Sequence, residues 1–93
     1  MKLLCLCQNV IADNTDDLPY KAHLIVDEDW NSFTESISPT KGWDWQLVEN
    51  IYQCPNCGRL LLNLKQEGLV YFRPETEGTS HSLLKSVRKS SGH

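Results

Sequence analysis

The stretch Gln53-Cys54-Pro55-Asn56-Cys57-Gly58-Arg59-Leu60 constrains this chain more than any other. Two cysteines separated by two residues can aim both sulfurs at one point. Pro55 presets φ for a tight turn, and Gly58 supplies the positive φ that a residue with a Cβ resists. In that shape, backbone N–H groups point toward the thiolates and offset their charge. One such turn supplies two ligands, and a tetrahedral ion takes four. The remaining cysteines, Cys5 and Cys7, form a second close pair, so the count closes at four.

Four cysteines in a short chain could instead form two disulfides or serve as redox thiols. The stretch Met1-Lys2-Leu3-Leu4-Cys5-Leu6-Cys7 has one basic residue, a short apolar run and no small-residue cleavage site, which makes a poor signal peptide. A lipoprotein-type start at Leu3-Leu4-Cys5 fails on the same short run. The expected compartment is therefore the cytoplasm, where this spacing favours metal over disulfide. Ninety-three residues make one domain. A core of that size is marginal, and a structural metal supplies stability it lacks.

Along the chain, Lys2 to Cys7 reads as a first strand that places both sulfurs of Cys-x-Cys on one face. Gln8-Asn9 follows as a turn with Asn9 left-handed, and Val10-Ile11-Ala12 as a short return. Asp13-Asn14-Thr15-Asp16-Asp17-Leu18-Pro19 is read as a solvated loop, since it lacks the Gly and terminal Glu of a calcium loop. Leu24-Ile25-Val26 ends a strand that begins near Tyr20. Asp27 then reads as the N-cap of a helix of about three turns, with Trp30, Phe33 and Ile37 on its apolar face. A longer strand is expected from Trp43 into Cys54. Leu60–Leu64 and Leu69–Arg73 are the arms of a hairpin, with Leu60, Leu62 and Leu64 packing on Trp43, Trp45 or Tyr71. From Glu75 to His93 the chain is polar and reads as a mobile tail or a frayed helix. Its last residues, Ser90-Ser91-Gly92-His93, look like the start of an appended tag and enter no functional argument.

The second cysteine turn, followed by a hairpin, resembles one knuckle of a zinc ribbon of the rubredoxin type. In that family, two knuckles from separate parts of the chain hold one metal between β-hairpins. The resemblance spans the first dozen residues and roughly residues 43 to 73. It implies an α+β fold: a small zinc-ribbon sheet over residues 1–74, with a helix-containing acidic insertion at about 13–40. Carried over residue by residue, it makes Cys54 and Cys57 ligands, and Cys5 and Cys7 ligands by completion. The first pair departs from the family's Cys-x-x-Cys-Gly, having one intervening residue and then Gln8. Four thiolates suit Zn2+ in a closed, structural site with no open position, and iron would use the same sulfurs. Arg59 is placed to offset their charge.

The remaining chemistry is sparse. No Gly-rich phosphate loop is present, and His23, His81 and His93 are scattered, so no enzyme is expected. Residues 1–50 carry nine acidic side chains against Lys2, Lys21 and Lys41, whereas residues 51–93 carry six basic ones against three acidic. An acidic face repels phosphate backbones and attracts a basic protein surface. Asp27, Glu28, Asp29 and Trp30 are the expected contacts for such a partner. The profile of a small, acidic, metal-pinned domain is similar to that of bacterial immunity proteins, which neutralise a toxin by covering it. The competing expectation is a nucleic-acid-binding ribbon in transcription or translation, using Arg59, Lys65, Arg73, Lys85, Arg88 and Lys89, with Tyr71 and Phe72 for stacking. A third is redox or metal sensing by a loosely held thiol site.

Overall fold

Strand β1 (Lys2–Leu4) pairs antiparallel with β2 (Val10–Ala12), Leu3 lying opposite Ile11. A separate antiparallel sheet runs in the order β3 (Lys21–Leu24), β4 (Glu49–Gln53), β5 (Leu60–Leu64) and β6 (Gly68–Phe72). One short helix, α1 (Trp30–Ser36), completes an α+β fold. The computed structural model describes residues 1–14 and 17–86. Expectations for Thr15, Asp16 and residues 87–93, including Val87, Arg88 and Lys89, lie outside them.

Period-two alternation decides what the larger sheet buries. The register aligns Lys21, Tyr52, Leu61 and Tyr71 across the four strands. On that face Tyr52 and Leu61 are fully buried, and with Ile11, Cys5 and Cys54 they form the core; Leu3, Tyr20, Leu69 and Tyr71 pack around it. Three tyrosines tie the small hairpin down through their hydroxyls. Tyr20 donates to the Ala12 carbonyl (2.6 Å), Tyr71 to the Leu4 carbonyl (2.9 Å) and Tyr52 to the Asp13 carboxylate. A phenol suits this place, since its ring joins the core while its hydroxyl satisfies a backbone or side-chain group at the margin.

Several expectations change here. Leu61, not Leu60, Leu62 and Leu64, enters the core; those three share the other face with Ile51 and Val70 and stay half-buried. The strand expected from Trp43 begins only at Glu49. The Asp44 carboxylate accepts the Gln46 N–H (3.0 Å) and turns Trp45–Leu47 into a 3-10 helix, a local bond that competes with the ladder. Asp27 does not cap a helix: Asp27–Asp29 form a 3-10 turn with no side-chain cap, and the α-helix proper is seven residues long. Of its expected apolar face, Phe33 is buried, while Trp30 and Ile37 are exposed. Asp13, expected in a solvated loop, is drawn into an ion pair with Lys21 (3.0 Å) as well as the Tyr52 bond. Burial pushes its carboxyl up, but the bonds from Tyr52 and then Lys21 outweigh that and hold it below the usual carboxylate range.

Candidate metal centre

Each cysteine pair is held by a backbone turn, and the two turns are variants of one design. In the second, the Gly58 N–H donates to the Cys54 carbonyl and the Cys54 N–H to the Arg59 carbonyl, both at 2.8 Å. In the first, the Gln8 N–H donates to the Cys5 carbonyl and the Cys5 N–H to the Asn9 carbonyl, both at 2.9 Å. The first turn is shorter by one residue at each bond, which follows from Cys-x-Cys against Cys-x-x-Cys. Both need a left-handed residue after the second cysteine. Gly58 has φ +83°, and Gln8 takes φ +78° in the corresponding place. The expected strand through Cys7 therefore stops at Leu4, and Gln8 rather than Asn9 is left-handed.

Packing of the hairpin on the sheet brings the turns face to face. All four Sγ atoms lie within 4.8 Å of one another. Cys5 and Cys57 are 3.5 Å apart and Cys7 and Cys54 3.6 Å, and both of these contacts run between the two pairs. A disulfide would require about 2.05 Å; the four cysteines are free thiols. Sulfurs about 2.3 Å from a central zinc sit about 3.8 Å apart at the corners of a tetrahedron. The observed spacings bracket that edge, so the donor set fits a four-coordinate ion. Cys5 and Cys54 are buried and Cys7 and Cys57 half-buried, which leaves the cluster enclosed on its protein side.

The surrounding donors match a negatively charged cluster. Arg59 Nη1 lies 3.4 Å from Cys57 Sγ, as its place in the sequence suggested. Asn56 Nδ2 reaches across to Cys7 Sγ and Asn9 Nδ2 to Cys54 Sγ, each at 3.5 Å. Each amide thus serves a thiol on the opposite turn, which sequence reasoning missed. Hydrogen bonds that favour a thiolate lower its pKa, and burial raises it. Burial pushes the Cys5 thiol up to about 12. The Asn56 amide, followed by a backbone bond from Asn9, brings Cys7 down to about 6. The hydrogen bond to Cys57 raises the Arg59 guanidinium further above its ordinary value.

One more residue supports the second turn. Gln53 is a fully buried polar side chain directly before Cys54. Its amide donates to the Gly58 carbonyl (3.2 Å) and the Ser80 carbonyl (3.0 Å), and its oxygen accepts the Leu83 N–H (2.6 Å). Residues expected in a mobile tail are thereby laid along the turn, with His81 against Gly58 and Nδ1 3.3 Å from the Pro55 carbonyl. A buried amide with all its bonds made fixes one geometry where an apolar side chain would permit several.

The other expected site residues lie elsewhere. Asp27, Glu28 and Asp29 form the 3-10 turn leading into Trp30, and none contributes to the sulfur cluster. Trp30 instead begins a run of rings. It stacks on Phe33 (6.1 Å), Phe33 meets Trp43 (6.1 Å), Trp43 meets Trp45 (5.0 Å), and Trp45 meets the edge of His23 (5.5 Å). Two of the six basic residues named for nucleic acid are engaged. Arg59 serves Cys57, and Lys65 pairs with Glu49 (3.1 Å) and donates to the Val48 carbonyl. Tyr71 bonds the Leu4 carbonyl. Among the described residues, no helix is long and apolar enough to cross a membrane.

The chain belongs to a family described as a domain of unknown function (DUF8617), which matches residues 1–77. That span contains both cysteine pairs and the whole run of rings. No curated protein and no solved structure matches the chain.

Proposed function

We propose that this member of the family is a non-catalytic protein-binding module, its small fold clamped by one structural zinc ion of the zinc-ribbon type. The single observation that carries the metal half is the convergence of four thiols from two distant turns, within 4.8 Å, ringed by Arg59, Asn9 and Asn56. Cys5, Cys7, Cys54 and Cys57 would hold the ion. When bound, zinc supplies a crosslink and no reacting position, because all four coordination sites are taken by protein. The amides and the guanidinium offset the charge of the thiolates. The small hairpin, whose own pairing is three residues long, is held to the sheet at its turn by the ion and along its length by the tyrosines.

The binding half rests on the surface around Asp27–Trp30. Carboxylates and exposed indoles there favour a basic protein over phosphate, and Arg59 and Lys65, two of the six basic residues that a nucleic acid would use, already have partners within the chain. Within this reading, an immunity role in the cytoplasm, covering the basic face of a toxin, is the form that charge favours most. Two measurements test the proposal. Elemental analysis of the purified chain should return one zinc per chain. Affinity capture from native lysate should retain a protein partner in a salt-sensitive way. Absence of stoichiometric metal would remove the clamp, and capture of nucleic acid in place of protein would remove the binding reading.

A further inference from the structure

Tryptophan is highly buried on average in folded proteins, yet all three here keep a large part of their surface in water. Trp30 is 50% exposed, Trp43 39% and Trp45 55%. They are not scattered. The contacts through Phe33, the one buried ring of the set, join them and His23 into a continuous ridge with successive centroids 5.0–6.1 Å apart. The ridge is ordered from beneath by the end of α1, where Ser36 Oγ accepts the Asp44 N–H (3.0 Å) and sets Trp43 and Trp45 beside the helix.

Carboxylates flank this ridge in the sequence at its Trp30 end and its middle, while Lys21 and Lys85 line one pocket with His23 and Trp45 at the other end. Asp27, Glu28 and Asp29 precede Trp30, Glu35 follows on the same helix, and Asp44 lies between Trp43 and Trp45. None of these five takes part in the ion pairs Lys21–Asp13 and Lys65–Glu49, and none is paired with a lysine or arginine among the described residues. From Ala22 to Thr40 the sequence contains neither. The combination selects among ligands. Single-stranded nucleic acid stacks on indoles, but its phosphates are repelled by such a rim. A purely apolar segment would leave the carboxylates desolvated and unpaired. A lysine ammonium is a compact, strongly hydrated point charge, whereas a guanidinium is planar, weakly hydrated and able to stack on a ring while bonding a carboxylate.

We propose that the ring ridge from Trp30 to His23 is a docking surface for an arginine-bearing segment of a partner protein, with guanidinium planes on the indoles and their N–H groups on the flanking carboxylates. This rests on the protein-binding reading and specifies the chemistry that reading leaves open. The geometry assigns Trp43 and Trp45 the central role, since they are adjacent, exposed and separated by Asp44.

The metal-loaded full chain is titrated with a short Gly/Ser peptide carrying several arginines, followed by tryptophan emission at low salt. Its citrulline counterpart, which keeps the shape and loses the charge, and oligothymidylate are run in parallel. The arginine peptide should bind about tenfold or more tightly than the citrulline peptide, in line with stacked, charge-assisted contacts. Trp45→Ala should weaken it several-fold with metal content and circular dichroism unchanged. Should that variant fail to fold, the exposed Glu28→Gln, combined with Asp27→Asn, provides the same test and should also flatten the salt dependence. Equal binding of the citrulline peptide, preferential binding of oligothymidylate, or a folded Trp45→Ala with unaltered affinity would each overturn the ridge. A lysate partner held equally by wild type and Trp45→Ala would overturn it too, while leaving the protein-binding reading in place.

Discussion

Replacing Gly58 with alanine separates two contributions that the second turn combines. The residue sits at φ +83°, and a Cβ there would lie 2.6 Å from His81 Cδ2. The first term is backbone strain, about 1–2 kcal/mol for a residue with a Cβ in the left-handed region. The second is the clash, which looks severe as a distance but involves the ring of an exposed histidine that can rotate away. Its lasting cost is the displaced bond to the Pro55 carbonyl, about 0.5–1.5 kcal/mol at most for a neutral hydrogen bond. Strain should therefore dominate, for a total of about 2 kcal/mol, which in a domain of this size lowers Tm by about 8–16 °C. A double-mutant cycle with His81→Ala reads the split, with the metal-loaded chain melted under circular dichroism. Gly58→Ala should retain most of its cost in the His81→Ala background, with a coupling of less than about 1 kcal/mol. A neutral Gly58→Ala would refute the left-handed turn. A cost that vanishes in the His81→Ala background would show that packing by the returning segment, and not φ, is what demands glycine.

Other perturbations follow from the same geometry. Cys54→Ser should abolish stoichiometric metal and unfold much of the chain, because binding free energy at such a site is folding free energy; a variant that keeps metal and melts like wild type would contradict the clamp. Leu61→Ala, at a fully buried position, should cost about 2–5 kcal/mol in denaturant unfolding, and Leu62→Ala, half-buried on the other face, clearly less; the reverse order would mean the register is shifted by one. Asp13 has a lowered carboxyl pKa in the fold. Its contribution should be complete above about pH 4, the unfolded value, and disappear as pH falls through the lower folded value. Tyr52→Phe removes the bond that does most to lower it, so it should reduce stability at neutral pH by about 1–3 kcal/mol and shrink the stability lost in acid. Tyr52 itself titrates above its ordinary value, first through burial and then through Asp13, so wild type should also weaken as pH rises past about 10 and Tyr52→Phe should weaken less there.

Much of the metal centre was legible in the chain because its determinants are local. Cys-Pro-Asn-Cys-Gly specifies a turn through proline, a left-handed glycine and two residues of spacing, whatever surrounds it. Arg59 could be placed beside Cys57 for the same reason, as could the hairpin of β5 and β6. The first turn was harder to read. Without glycine after Cys7, period-two alternation suggested a continued strand, and nothing local shows that Gln8 is held at φ +78° by the two backbone bonds of its turn.

The sequence by itself determined the elements whose signals lie within a few residues: two thiol pairs, the hairpin arms and an acidic middle. Only the tertiary structure decided how they meet. Which leucine of Leu60-Leu61-Leu62 enters the core depends on which face of the sheet receives the small hairpin, and a shift of one residue inverts the answer. The crossed amides of Asn9 and Asn56, the clasp of Gln53 on Ser80 and Leu83, and the joining of three tryptophans through Phe33 all link positions far apart in the chain. Such contacts leave no periodic trace in a single sequence, because each is selected by shape and hydrogen bonding after the chain has folded back on itself.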